Sequence, residues 1–170
     1  NSGYSGINLT GSSNNTLFNN TAWYNPQNGI ILTTSSNGNN LTTNDASNNN
    51  QNGILINGSN LNQLTGNAVG NNSLNGILLT GSTFNTLTSN VANSNRGNSG
   101  INLTGSGNNT LINNTAWYNP QNGIILTASS NGNNLTRNDA SNNNQDGILV
   151  NGSNLNQLTG NTAGNNSRNG

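Results

Sequence analysis

The apolar residues of this chain are few, and they fall on a ruler. Gly-Ile-x-aliphatic opens at Gly6 and returns at Gly29, Gly53, Gly76, Gly100, Gly123 and Gly147; Gly170 stands where another copy would begin. The steps alternate between 23 and 24 residues. With each Gly as position zero, Ile fills position one throughout (Ile7, Ile30, Ile54, Ile77, Ile101, Ile124, Ile148), and Leu, Ile or Val fills position three. Position two varies between Asn and aliphatic. Positions one and three therefore face inward and position two outward, the period of a β-strand. Each copy continues with Ser at position six (Ser12, Ser35, Ser59, Ser82, Ser106, Ser129, Ser153) and then Asn-x-Leu, from Asn15-Leu17 to Asn156-Leu158. Three residues past the Leu comes a second Asn (Asn20 to Asn161), two further on a small apolar residue (Ala22 to Ala163), and three beyond that a third Asn (Asn25 to Asn166).

These apolar spacings do not follow 3.6, and Asn, Gly, Ser and Thr are poor helix formers, so helices are not expected. The strands are short and broken by turn residues. One copy cannot bury its apolar side alone, but stacked copies can, which is the logic of a solenoid. The prediction is an all-β fold: a single-stranded parallel β-helix over residues 1–170, with seven coils of 23–24 residues. At about 4.8 Å per coil it would stand about 34 Å tall. Like residues stack on like, and each inward Asn can bond the Asn above, the Asn below and local backbone. The Gly at position zero, usually preceded by Asn, predicts a tight turn with positive φ. The extra residue of the longer coils precedes Asn39 and Asn133, and in the fourth coil lies within Arg96-Gly97-Asn98-Ser99. A second order of repetition is plain: Thr21-Ala22-Trp23-Tyr24-Asn25-Pro26-Gln27 returns 94 residues later as Thr115-Ala116-Trp117-Tyr118-Asn119-Pro120-Gln121, a block of four coils.

The pattern Gly-Ile-x-Leu-x-x-Ser-x-x-Asn-x-Leu-x-x-Asn resembles the right-handed parallel β-helix repeat of pectin-lyase-like proteins. The closer likeness is to the NosD-like and archaeal or bacterial cell-surface branches, whose coils are similarly Asn-rich. The resemblance covers essentially the whole chain and implies right-handedness. It says little of function, because this solenoid hosts lyases, hydrolases, adhesins and structural proteins.

Composition narrows the function classes. Asn supplies 49 of the 170 residues, and only Arg96, Arg137, Arg168, Asp45, Asp139 and Asp146 carry charge. Such polar text could be disordered, but a disordered chain has no need of aliphatics at fixed positions. Nucleic acid and anionic membrane surfaces both call for clustered Lys or Arg, so neither is expected as a partner. No apolar run approaches the ~18 residues of a membrane-spanning helix. The absence of Cys fits either redox compartment.

Little catalytic or metal chemistry is available. Pectin-lyase-like enzymes use clustered carboxylates, often with Ca²⁺, and a basic residue. Asp45 and Asp139 share a coil position but lie four coils apart, about 19 Å at strand spacing, whereas carboxylate pairs of hydrolytic sites sit about 5–9.5 Å apart. They read as solvated charges, and Asp146, where Asn52 stands in the equivalent coil, as a turn variant. NosD-like proteins are associated with copper delivery, yet His, Cys and Met are all absent. No catalytic residue, metal ligand or cofactor is assigned, and the protein is expected not to be an enzyme.

Two outward features remain. Ile31, Leu55, Leu78, Ile125 and Leu149 at position two, beside a Thr-rich position four, form a flat stripe suited to side-by-side contact with another solenoid or, less readily, to ice. Trp23-Tyr24 and Trp117-Tyr118 recur every fourth coil and suit a subunit contact or a sugar-stacking platform. Asn-x-Ser/Thr occurs at Asn8, Asn14, Asn19, Asn40, Asn57, Asn71, Asn102, Asn108, Asn113, Asn134, Asn151 and Asn165, compatible with a secreted glycoprotein. No polar cap is evident at either end, and uncapped strand edges template further pairing. The expectation is therefore a structural β-helix outside the cell or on its surface, part of a longer array or self-associating end to end into a filament, sheath or stalk. An adhesin or carbohydrate-binding module is the alternative, with a pectin-lyase-like enzyme and an ice-binding face as minor ones.

Overall fold

The computed structural model describes residues 4–170. Each coil supplies two strands: Ile7–Thr10 and Thr16–Phe18 in the first, Ile148–Val150 and Gln157–Thr159 in the last. They build two seven-stranded sheets in which every strand pairs with its counterparts in the adjacent coils, all parallel. A third side is tied by single bridges from Thr21 through Asp45, Ala68, Val91, Thr115 and Asp139 to Thr162. The described residues contain no α-helix.

The register is the one the repeat predicts. Ile7 pairs with Ile30, Ile30 with Ile54, and Ile54 with Ile77; Leu17 pairs with Leu41, and Leu41 with Leu64. These side chains, with the Ala22 column, fill the bore, and from Ile30 to Ala140 all its core aliphatics are fully buried. Strand alternation sends Thr and Asn outward from the same strands.

The corners follow one local rule. Asn14, Asn19 and Tyr24 in the first coil adopt φ of 60°, 54° and 52°, and each immediately precedes an inward Asn. In the fourth coil, Gly81, Phe84, Ser89 and Ser94, at φ of 54°, 56°, 54° and 57°, precede Ser82, Asn85, Asn90 and Asn95. One left-handed residue turns the chain, and the next side chain points into the corner. There its amide stitches coils together. Asn44 Nδ2 donates forward to Asn67 Oδ1 (3.0 Å) and back to the Leu17 carbonyl (2.9 Å), while its backbone N–H donates to the same Oδ1 (2.9 Å). One side chain thus ties three coils and leaves little of its hydrogen-bonding capacity unused.

Three expectations need correction. In the second and sixth coils, position six is not the inward Ser. Ser12 N–H donates to Ser36 Oγ, and Ser36 N–H to Ser59 Oγ; Ser130 fills the same role. The extra residue is absorbed before the Ser, where Thr34 and Ser35, and likewise Ala128 and Ser129, take left-handed φ in succession. Second, the position-zero glycines are not among the positive-φ residues. Glycine is required there for room: a Cβ on Gly53 would lie 2.7 Å from both Asn72 Nδ2 and the Gly76 carbonyl. Third, the Asn preceding that glycine is no simple turn residue. Asn28, Asn52 and Asn75 form a fourth buried ladder in which donors point the other way: Asn52 Nδ2 to Asn28 Oδ1, and Asn75 Nδ2 to Asn52 Oδ1, both 2.9 Å. Asp146 belongs to this ladder and is 5% exposed. It accepts from Asn169 Nδ2 at 2.6 Å. It is a buried link and not a turn variant at the surface.

Candidate functional site

With the interior committed to packing, chemistry is left to the outward columns. The stripe of Ile31, Leu55, Leu78, Ile125 and Leu149 is a true column on the first sheet, in register with Asn8 and Asn102. Its members are half-buried, because each packs on the next coil. The adjoining Thr column is partly cross-linked, Thr10 Oγ1 lying 3.3 Å from Thr33 Oγ1.

The aromatic pairs sit on the third side. Trp23 and Tyr24 meet edge to face, with centroids 6.5 Å apart and planes at 82°. Trp117 and Tyr118 repeat this at 6.3 Å and 79°. Tyr24 and Tyr118 are 76% and 61% exposed and Trp23 is 47% exposed, whereas Trp117 is half-buried. Between the pairs the same column carries Ser47, Gly70 and Asn93.

The charges do not converge. Asp45 and Asp139 occupy one bridge column with Ala68, Val91 and Thr115 between them, so four coil spacings, about 19 Å, part them. Asp45 Oδ1 accepts from Ser47 N–H, and Asp139 Oδ1 from Ser141 Oγ. Among the described residues, no group of three or more His, Cys, Asp or Glu could hold a metal ion.

All twelve sequon asparagines lie outside the ladders. They are exposed except Asn102, which is half-buried. Some stand at left-handed corners (Asn14, Asn19, Asn71, Asn108, Asn113, Asn165), and the rest on the outer sheet faces or strand ends (Asn8, Asn40, Asn57, Asn102, Asn134, Asn151). Two residues past each of the first two ladder positions the chain turns back inward with Leu, Ala or Val, and two past the third stands Gln, Leu, Gly or Arg, so none of those ladder Asn heads a sequon. Sequence reasoning missed one set of polar positions, the fourth ladder. The recurrent Asn before Gly was the available signal.

The architecture is a parallel β-solenoid of seven coils. The family model of the right-handed β-helix region matches residues 1–92 and 40–170, the whole chain between them, and the chain belongs to this family. No curated protein matches it in sequence. Among solved structures, it superposes on a mutant of the periplasmic alginate epimerase AlgG with a TM-score of 0.80 at 19% identity, covering 92% of this chain and 42% of that one. The A-module of the mannuronan C-5 epimerase AlgE6 from Azotobacter vinelandii gives a TM-score of 0.80 at 15% identity, covering 93% and 48%. The chain spans less than half the length of either, and at these identities the likeness is one of fold. No helix among the described residues is long and apolar enough to cross a membrane.

Proposed function

We propose that this β-helix is a non-enzymatic structural element, a rigid rod outside the cell or on its surface that extends coil upon coil in a filament, sheath or stalk. The observation that supports it best is continuity of the interior. Three Asn ladders, the Ser column and the aliphatic columns pass through every coil without a break, so neighbouring coils are bonded along the full described length. Solenoids derive stability from such nearest-neighbour contacts. The last described coil carries the same pattern: Asn156 Nδ2 and Asn166 Nδ2 are buried, with no acceptor among the described residues. A further coil set in register, whichever chain supplies it, would bring the missing Oδ1 acceptors. The half-covered aliphatic stripe suits lateral packing of one rod on another. Surface sequons and the periplasmic setting of AlgG favour a place outside the cytoplasm.

Electron microscopy of the purified chain across a concentration series tests this reading. Rods that lengthen along their axis support it; rods of a single fixed length at every concentration count against it. The names of the neighbours supply the control. Incubation with alginate followed by proton NMR should leave its uronate composition and chain length unchanged. Epimerised or shortened alginate would overturn the non-enzymatic assignment.

A further inference from the structure

The aromatic pairs have a role that rod formation does not need. Tyr24 and Tyr118 occupy the left-handed corner, at φ of 52° and 55°. The same corner in other coils holds Asn48, Asn71, Ser94 and Asn142, residues that tolerate the left-handed region or stay small. A bulky ring there carries a backbone cost and gains little burial. Leu61, Phe84 and Leu155 bear the same cost at another corner; what sets Tyr24 and Tyr118 apart is the Trp against which each ring stands. Each Tyr is braced by its Trp at near-perpendicular planes, so every pair offers a flat apolar ring face held at a fixed angle to a second one.

The ground between the pairs is low and polar. Ser47, Gly70 and Asn93 lie in the Trp column; Ser47 Oγ accepts from Gly70 N–H and Asn93 Oδ1 from Trp117 N–H, which leaves the Ser47 hydroxyl proton and the Asn93 Nδ2 protons to donate to sugar hydroxyls. The charges between the pairs balance: Asp45 in the bridge column, above which stand Ala68 and the exposed Val91, and Arg96, exposed in the fourth coil two residues past Ser94 of the Tyr column. Two small apolar platforms about 19 Å apart, parted by polar ground, do not form the continuous apolar core of a protein interface. They match instead a ligand that alternates flat C–H faces with hydroxyl edges. An extended β-linked hexose chain does so, and it advances per sugar nearly as far as the solenoid advances per coil.

We infer that this face binds a neutral, extended polysaccharide strand lying along the solenoid axis, its sugars stacking on the Trp23–Tyr24 and Trp117–Tyr118 platforms. The inference does not depend on rod formation. Rings of this kind contribute contact area with a polar edge left free, and two platforms on one strand reinforce each other because the second engages intramolecularly.

The chain's two tryptophans are both in the platforms, so intrinsic fluorescence reports them without a label. The probes are soluble β-1,4-linked hexamers of glucose, mannose and N-acetylglucosamine, with a mannuronate hexamer as the anionic control. At least one neutral hexamer should change the emission saturably, with the mannuronate hexamer weaker. Trp23→Ala and Trp117→Ala should each weaken binding about tenfold or more, with the melting curve of Trp23→Ala unchanged. Should Trp117→Ala fail to fold, Tyr118→Ala at the more exposed ring tests the second platform. No response to any neutral hexamer would overturn the proposal. So would an affinity unchanged from the unsubstituted chain in both platform variants, or tighter binding of the anionic hexamer. Self-association that vanishes in Trp23→Ala, without any sugar response, would reassign the platforms to a second copy of the chain and also overturn it.

Discussion

Replacing Asn90 by Ala removes one rung from the middle of a ladder, and the structure sets what that costs. Asn90 is fully buried. Its Oδ1 accepts from Asn67 N–H at 3.0 Å and from Asn67 Nδ2 at 2.8 Å. Its Nδ2 donates to the Leu64 carbonyl at 2.9 Å and to Asn114 Oδ1 at 3.0 Å. Alanine leaves two donors of Asn67 facing a void, while Asn114 Oδ1 keeps the backbone N–H of residue 90. Orphaned buried groups cost about 1–3 kcal/mol each, and a water entering the void recovers part of that where it finds polar partners. The expected loss is about 2–5 kcal/mol. Because coils couple only to their neighbours, the damage should be local: amide exchange should quicken in the third to fifth coils and stay slow in the second and sixth. Denaturant titration by circular dichroism gives the first quantity and hydrogen exchange with mass spectrometry the second. A loss below about 1 kcal/mol would refute the accounting of the ladder as buried polar bonds. Exchange that quickens evenly along the chain would refute its local coupling. The isosteric Asn90→Asp keeps the acceptor and loses both donors, setting a carboxylate against two oxygens. It should be destabilising at neutral pH and less so in acid, where protonation restores one donor.

Other perturbations separate the remaining forces. Gly53→Ala should destabilise by roughly 1–3 kcal/mol through overpacking, since its Cβ meets the Gly76 carbonyl at 2.7 Å. Gly58→Ala, at φ +54° with nothing within 4 Å, should cost only the left-handed backbone term of about 1–2 kcal/mol; thermal melts of the two distinguish clash from torsion. Leu87→Ala, fully buried, should lose about 2–5 kcal/mol, read from a denaturant midpoint. Phe84→Asn should stabilise by up to about 1 kcal/mol, because Phe84 is 57% exposed at φ 56° and Asn already occupies that corner at Asn14 and Asn108.

Fold was legible in the sequence because the bore is one-dimensional. Ile and Leu at fixed offsets sufficed to place Ile7, Ile30 and Ile54 as neighbours, and the inward Asn at three corners were read from their period alone. The Ser column was misread at Ser35 and Ser129 because two adjacent serines could satisfy the offset. The choice between them falls to the pair of left-handed residues that absorb the extra residue, and Thr34-Ser35 carries no compositional mark of that conformation. The position-zero Gly was assigned to a turn because Asn-Gly usually signals one, whereas its constraint comes from residues in the adjacent coils. The surface was less legible. Period alone identifies Ile31 and Leu55 as outward but not how far each is covered by the next coil, and it shows that Trp23 and Trp117 align without showing that their Tyr partners stand at left-handed corners.

The ladders also give the molecule a direction. Three of them, through Asn15, Asn20 and Asn25, pass protons toward the C-terminal coil, and the fourth, through Asn28 and Asn52, passes them back. Two such surfaces brought together head to head would set amide N–H against amide N–H at three points and oxygen against oxygen at the fourth. A joint made coil on coil therefore has to be head to tail. Any assembly built from such joints is polar, with one growing face unlike the other, and cannot be closed by a twofold axis across the seam.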